Sequence, residues 1–202
     1  MKKYLLFLPV VLISLLLVNC QTGSKYDLPS QVQDIITDEQ LEKLENGGLI
    51  INEGLDPPNI EGIYVGDSLV RTFDSKGQGI GNPVTDYYYK IENQTDDNTI
   101  TFSYRTGTGS DQALGQGAFI SGSGQDFTLF VEVEGYHPAD DVHYRDVEVY
   151  SGTYTAEGIA HFEYGFIRTY KSVDLDLYMD VGAYRGYEEE DDLASNSSWP
   201  TS

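Results

Sequence analysis

The sequence predicts an all-β fold, an antiparallel meander closed into a β-barrel, with a short N-terminal helix and a flexible acidic C-terminal tail. Apolar and polar residues alternate with the two-residue period of half-buried strands, as in Ile100, Phe102 and Tyr104. Clusters of Gly, Asn and Asp separate these runs, with no helical pattern between them. Consecutive short strands of this kind are typical of a closed barrel or of a sandwich.

The first twenty residues have the pattern of an export signal. Lys2 and Lys3 precede an apolar run from Leu5 to Val18, and the run leads to Cys20, the single cysteine of the sequence. Leu17-Val18-Asn19-Cys20 resembles the lipobox of bacterial lipoproteins. The resemblance implies that residues 1–19 are a lipoprotein signal peptide and that Cys20 becomes the acylated first residue of the mature protein.

Two other interpretations of this segment are weaker. A transmembrane anchor needs about 20 apolar residues, and this run is shorter. A secreted protein would carry an unexplained thiol in an oxidising compartment. We therefore expect a lipid-anchored protein of the cell envelope, in the outer membrane rather than the inner membrane.

The charge of the chain limits its partners. The sequence has 33 acidic and 12 basic residues, a net charge of −21, and two of the basic residues lie in the signal segment. A nucleic-acid surface needs clustered Lys and Arg, and anionic lipid headgroups would be repelled. The membrane contact is therefore expected through lipid, and the acidity itself fits the solubility of an exported protein.

A short helix is expected at the start of the folded part, after a lipidated tether over residues 20–36. Thr37 and Gln40 form a capping box, which predicts a helix over 38–46. Gly47 and Gly48 are typical of a helix end. The narrow apolar face of this helix must pack against a larger surface.

The barrel domain is expected to span residues 37–187. Strands are predicted at about 60–73, 84–92, 100–105, 114–122, 127–133, 142–154, 158–170 and 176–185.

The tail, residues 188–202, begins with five consecutive acids and lacks a periodic apolar face. Like charges repel, so the tail is expected to be largely disordered, although Trp199 offers a side chain that can dock on the barrel.

Four blocks of the barrel domain carry a second resemblance. They cover residues 57–64, 124–130, 151–159 and 181–185, and they are similar to a group of uncharacterised bacterial lipoproteins with lipocalin-like, or calycin-type, barrels. Gly62-Ile63-Tyr64 is similar to the Gly-x-Trp signature that opens a lipocalin barrel, with Tyr in place of Trp. The resemblance implies a fold and a location, and no particular activity.

A non-catalytic binding module for a small hydrophobic or amphipathic ligand is the function we expect first, because a barrel of about eight strands can enclose one small ligand. No cofactor is expected. The same inward residues would otherwise fill a solid core. The residues expected to face the interior are Tyr64, Phe102, Tyr104, Phe127, Leu129, Phe162, Tyr164 and Phe166.

Two other classes stay open. The 16 tyrosines could form an exposed face for a surface-displayed interaction protein, since interfaces favour Tyr. An enzyme is not expected, because pairs such as Glu132 with Glu134 arise by chance in so acidic a chain and no nucleophile elbow is present. A metal site is a further weak option, with candidate ligands His137, Asp140, Asp141 and His143 close in sequence but without a typical ligand spacing. Irregular calcium binding by the acidic loops also stays open.

The lipid anchor is tested by Cys20→Ala. We expect this variant to leave the membrane fraction, because the acylated residue is the only membrane contact that the charge permits. The measurement is membrane fractionation, with Thr22→Ala in the adjoining polar stretch as the matched control. Wild-type retention of Cys20→Ala in membranes would refute the anchor.

Overall fold

The computed structural model describes residues 24–176 and 178–201. The predicted signal peptide, residues 1–19, and the predicted lipidation site Cys20 lie outside these residues. No helix within the described ranges is both long and apolar enough to cross a membrane. The elements are a 3-10 helix Ser30–Asp34, α1 Asp38–Asn46, β1 Leu55–Asp56, β2 Gly62–Gly66, β3 Leu69–Asp74, β4 Tyr87–Glu92, β5 Thr99–Thr106, β6 Gln112–Ser123, β7 Asp126–His137, β8 Val142–Tyr154, β9 Gly158–Lys171, β10 Tyr184–Glu189 and β11 Leu193–Asn196.

The strands form a closed antiparallel barrel of eight strands, which confirms the predicted fold class and is consistent with a lipocalin-like barrel. From β4 to β9, each strand pairs with the next one along the chain. The first part of β9 pairs with β11 and its later part with β10. In turn β11 pairs with β2 and β10 pairs with β3, so two bent strands, β2 with β3 and β10 with β11, close the ring.

Alternation along the strands directs one apolar set into the barrel. The core cluster inside contains seven of the eight residues predicted to face inward, and Phe166 packs against it half-buried. Strand β8 has the predicted bounds, 142–154. The two-residue period therefore identified the interior face correctly.

The predicted strand 176–185 is wrong. The described residues of this segment form a loop, and the strand begins only at Tyr184. Val181 points to solvent, and Asp180 bonds the side chains of Lys76 and Lys171. Met179 is buried in this loop, but the segment between it and Tyr184 forms no strand, and the ion pairs of Asp180 hold it at the rim of the barrel.

Residues 24–36 do not form the expected tether. Tyr26, Val32 and Ile36 are buried in a second apolar cluster on the outer face of the barrel. The cluster also contains Leu41 and Leu44 of α1 and the outward side chains Phe130, Val147, Val149 and Ile167 of β7, β8 and β9. Burial of these side chains outweighs the chain entropy that a tether would keep.

Helix α1 has the predicted bounds and the predicted capping box between Thr37 and Gln40. It belongs to a longer N-terminal arm, residues 24–52, that lies across the outer face. The amide of Asn52 donates to Thr128 Oγ1 over 2.7 Å, and Ser151 Oγ donates to the carbonyl of Ile50 over 2.6 Å. These bonds fasten the end of the arm to β7 and β8.

The acidic tail is ordered where disorder was expected. Glu188 and Glu189 complete β10, and residues 193–196 form the closing strand β11. Ser68 donates its amide and its hydroxyl to Glu189 Oε2 over 3.0 and 2.7 Å. Pairing of the main chain on two sides and burial of Ala194 outweigh the repulsion among the acids. Trp199 is half-buried in a groove on the barrel wall.

Closure by β11 is tested at Gly158. A Cβ at Gly158 (φ +148°) would lie 2.2 Å from the Ala194 carbonyl oxygen, whereas one at Gly124 (φ +68°) would meet nothing within 4 Å. We expect Gly158→Ala to lower the free energy of unfolding by about 2 kcal/mol more than Gly124→Ala does, because only the former forces β9 and β11 apart. Chemical denaturation measures both, and equal losses would contradict the close approach.

Candidate functional site

A polar cavity of about 160 Å³ opens at one end of the barrel, where β7 ends and β8 begins. Ligand sites for drug-sized molecules have about 300 to 1,000 Å³. The observed volume holds roughly five water molecules at about 30 Å³ each. The cavity can therefore accept only a small molecule. Its lining combines seven tyrosines with the acids Asp111, Asp146 and Glu148, the arginines Arg168 and Arg185, and His137, Val84 and Phe166.

The structure divides the eight predicted ligand residues into two groups. Tyr104, Tyr164 and Phe166 line the cavity. The other five fill the core without lining this cavity: Tyr64, Phe102, Phe127, Leu129 and Phe162. The Tyr64 hydroxyl donates to the carbonyl of Ile60 over 2.9 Å. Most of the aromatic interior is thus a packed core, as the alternative interpretation held.

Asp146 and Arg168 form a buried ion pair in the cavity wall. The two residues are direct partners in the register of β8 and β9. Arg168 Nε donates to Asp146 Oδ1 over 2.6 Å, and Nη2 donates to Oδ2 over 3.0 Å. The guanidinium also lies 4.2 Å from the ring centre of Tyr144. Burial raises the pKa of Asp146 to about 7, although Arg168 opposes the change.

Glu148 lies next to this pair on the inward face of β8. Only 3% of the residue is exposed, and the Tyr150 hydroxyl donates to its Oε2. Burial raises the pKa of Glu148 well above its ordinary value, and the negative charge of Asp146 adds to the effect. Below the raised pKa the Glu148 carboxyl is neutral.

Asp111 anchors a network of phenols at the cavity mouth. The Tyr87 hydroxyl donates to Oδ2 over 2.9 Å and the Tyr144 hydroxyl to Oδ1 over 2.6 Å. The hydroxyls of Tyr144 and Tyr104 are 2.6 Å apart. Burial raises the pKa values of all three tyrosines, so their protonated hydroxyls remain donors. His137 Nδ1 lies 3.6 Å from Asp111 Oδ1.

Two polar atoms in the cavity wall have no hydrogen-bond partner. Among the described residues, the Tyr89 hydroxyl and Arg168 Nη1 are buried and unpartnered, and both side chains line the cavity. Native proteins pair most such groups, because leaving one unpaired costs about 1 to 3 kcal/mol. The protein alone therefore leaves part of the hydrogen-bonding capacity of the cavity wall unused.

The metal candidates are not brought together. Asp140 accepts a bond from Tyr178, and Asp141 accepts one from Tyr136 over 3.1 Å. His143 stacks on Tyr136, whereas His137 lies between Tyr144 and Tyr178. Within the part of the chain that the structure describes, no three His, Cys, Asp or Glu are placed to hold a metal ion.

Most tyrosines of the described ranges lie in the barrel core or line the cavity, which gives an exposed Tyr-rich face little support. In the described ranges Tyr170, at 47% exposure, is the most exposed tyrosine. Sequence reasoning also missed Asp146, Glu148 and Arg168. The two-residue alternation of β8 could have identified the two acids, because it places Asp146 and Glu148 on the same inward face as Tyr144 and Tyr150.

Comparison with known proteins assigns no relative. The sequence matches no protein-family model and no curated protein, and no solved structure matches the chain.

The state of Glu148 is tested by the pH dependence of stability. Between the ordinary pKa of a glutamate and the raised one, the folded protein binds the additional proton, so Glu148 makes stability fall as pH rises. Glu148→Gln cannot lose this proton. We expect it to match the wild type near pH 5 and to exceed it increasingly toward about pH 9, with a smaller slope.

Urea denaturation across this pH range measures the effect. Glu132→Gln, on the adjacent strand β7 and outside the cavity lining, is the control and should keep the wild-type slope. A slope unchanged in Glu148→Gln would show that Glu148 is not held neutral by burial.

Proposed function

We propose that the protein is a lipid-anchored, non-catalytic binding module of the cell envelope that holds a small amphipathic ligand at the open end of its barrel. The observation that carries the proposal is the cavity, in which buried acids, arginines and phenols converge and two polar atoms lack partners. A few placed polar groups among aromatic side chains are typical of ligand sites. The small volume favours an amphipathic ligand of a few atoms over a long hydrophobic one.

Binding accounts for these groups better than catalysis does. Carboxylate chemistry needs an acid and a base that can both reach the substrate. Both oxygens of Asp146 are bonded to Arg168, and both oxygens of Asp111 receive phenol hydroxyls. Glu148 alone has an oxygen without a bond from the described residues. One available carboxyl can hold a ligand, but it lacks a partner for general acid–base work.

The location of the barrel follows from the proposed anchor. Ser24 Oγ donates to Asp38 Oδ1 over 2.8 Å, so the folded part already begins at Ser24. Three residues lie between Cys20 and Ser24, so four residue steps join them, and an extended chain spans at most about 3.6 Å per step. An acylated Cys20 would hold the barrel within roughly 15 Å of the lipid surface. The high negative charge leaves lipid as the membrane contact, and we place the protein in the outer membrane.

Native mass spectrometry of the full chain, extracted gently from its own envelope, tests binding. We expect a bound small molecule in the wild type. Val84→Trp should lose it, because Val84 lines the cavity and packs on the interior cluster, so the larger side chain fills the space. Ile80→Trp is the matched control on the same loop, where Ile80 is 57% exposed, and should retain the molecule.

Two results would contradict the proposal. One is a wild-type protein that carries no bound molecule and binds none from an extract of its envelope. The other is a bound molecule that persists in a folded Val84→Trp variant, because the molecule would then lie elsewhere. Thermal unfolding of both Trp variants confirms that they are folded.

A further inference from the structure

The cavity contains more carboxyl groups than cationic partners once its ion pairs are counted. Asp146 is neutralised by Arg168, and Arg185 is neutralised by Asp74, with Arg185 Nε donating to Asp74 Oδ2 over 2.6 Å. Glu148 has no Lys or Arg nitrogen within 4 Å among the described residues. The one basic side chain of the described residues that lies within 4 Å of the Asp111 carboxylate is His137. Burial raises the pKa of Glu148 and keeps its carboxyl neutral while no cation is paired with it. A bound cation would supply the opposite charge that favours the ionised carboxylate, so Glu148 would release its proton to solvent and pair with the ligand.

Glu148 presents the atom that such a ligand would reach. Its Oε2 accepts the Tyr150 hydroxyl, whereas no bond to its Oε1 is formed by the described residues. The carboxyl is buried at the cavity wall. An ammonium group is a compact donor of up to three hydrogen bonds and can use this oxygen directly.

The tyrosine rings around Glu148 fit the rest of a cation. Tyr150 stacks on Tyr164 at 5.2 Å between ring centres, and Tyr89 meets Tyr150 edge-on at 5.4 Å. Ring faces carry negative potential and attract ammonium groups when water is excluded. The same rings offer apolar area to a short alkyl chain.

A second, independent observation points to a ligand at this place. Tyr89 lines the cavity with only 2% of its surface exposed, and its hydroxyl has no partner. Arg168 Nη1 is likewise buried and unpartnered in the wall. Since such groups are normally paired, the Tyr89 hydroxyl indicates that a polar molecule with a hydrogen-bond donor belongs in the cavity, whereas Arg168 Nη1, itself a donor, gives no support to an ammonium ion.

We propose that the cavity binds a small organic ammonium ion, with its charged nitrogen at Glu148 and its short carbon chain against the tyrosine rings. The inference rests on the proposed binding function and names the class of ligand. An inorganic divalent ion fits less well, because Ca²⁺ needs six to eight oxygen ligands and three metal-binding side chains do not converge in the described structure. An anion would satisfy Arg168 Nη1, but it would also face the carboxyl groups of Glu148 and Asp111, and both guanidinium groups already form ion pairs with Asp146 and Asp74.

Three probes of similar size test the sign of the charge. Propylammonium, propionate and propanol are titrated into the full chain at about pH 8, where the amine is protonated, and binding is followed by calorimetry. We expect propylammonium to bind at least about tenfold more tightly than the other two. Glu148→Gln should weaken propylammonium binding by at least about tenfold, whereas Glu132→Gln should leave it unchanged.

Tyr150→Phe provides a second variant if Glu148→Gln fails to fold. It removes the hydroxyl that orients Glu148 and keeps the ring, so propylammonium binding should weaken while propanol binding stays constant. Tighter binding of propionate or propanol, or equal binding of propylammonium by wild type and a folded Glu148→Gln, would overturn the ammonium inference. If a native molecule is still bound by the wild type and lost in Val84→Trp, the proposed binding function holds even though the ammonium inference fails. The failure of the ligand class can thus be told apart from the failure of the binding function.

Discussion

The pairing of β11 with two strands is the constraint on which the rest of the structure depends. An unpaired strand leaves a row of main-chain donors and acceptors exposed, and only a closed barrel removes such edges. Residues 193–195 pair with β9, and residues 195–196 pair with β2. Without this short strand the ring would open between its first and eighth strands. Water would then reach the core cluster, and the buried acids would lose the dry surroundings that raise their pKa values.

Closure also explains why the interior has two different parts. Aromatic and aliphatic side chains pack the region around Phe102, Phe127 and Phe162, where burial of apolar surface stabilises the fold. Toward the open end the same inward positions carry Asp146, Glu148 and Arg168. The direct register of Asp146 with Arg168 neutralises one buried charge within the wall. Glu148 has no such partner, and this difference between neighbouring acids is what gives the cavity its chemical preference.

Local patterns predicted the parts of the fold that depend on local physics. The capping box at Thr37 and Gln40 and the alternation of β8 are both read from neighbouring residues, and both proved correct. The predictions of a disordered tail and of a flexible tether were wrong. Charge repulsion and low periodicity describe how these segments behave in isolation, whereas Ala194 and Val32 are held by partners distant in sequence. The site was hidden for a related reason. In a chain with 33 acids, Glu148 is distinguished only by its inward position and by the absence of a cationic neighbour, and the volume left beside it depends on how all the barrel side chains pack.

A crystal structure of the protein with propylammonium tests the central claim most directly, because it shows where the charge is held inside the closed barrel. We predict the ammonium nitrogen within hydrogen-bond distance of Glu148 Oε1, about 2.7 to 3.2 Å, with the propyl group against the rings of Tyr150 and Tyr164. A cavity occupied by water alone at saturating propylammonium, or the ion bound only on the outer surface, would contradict the account.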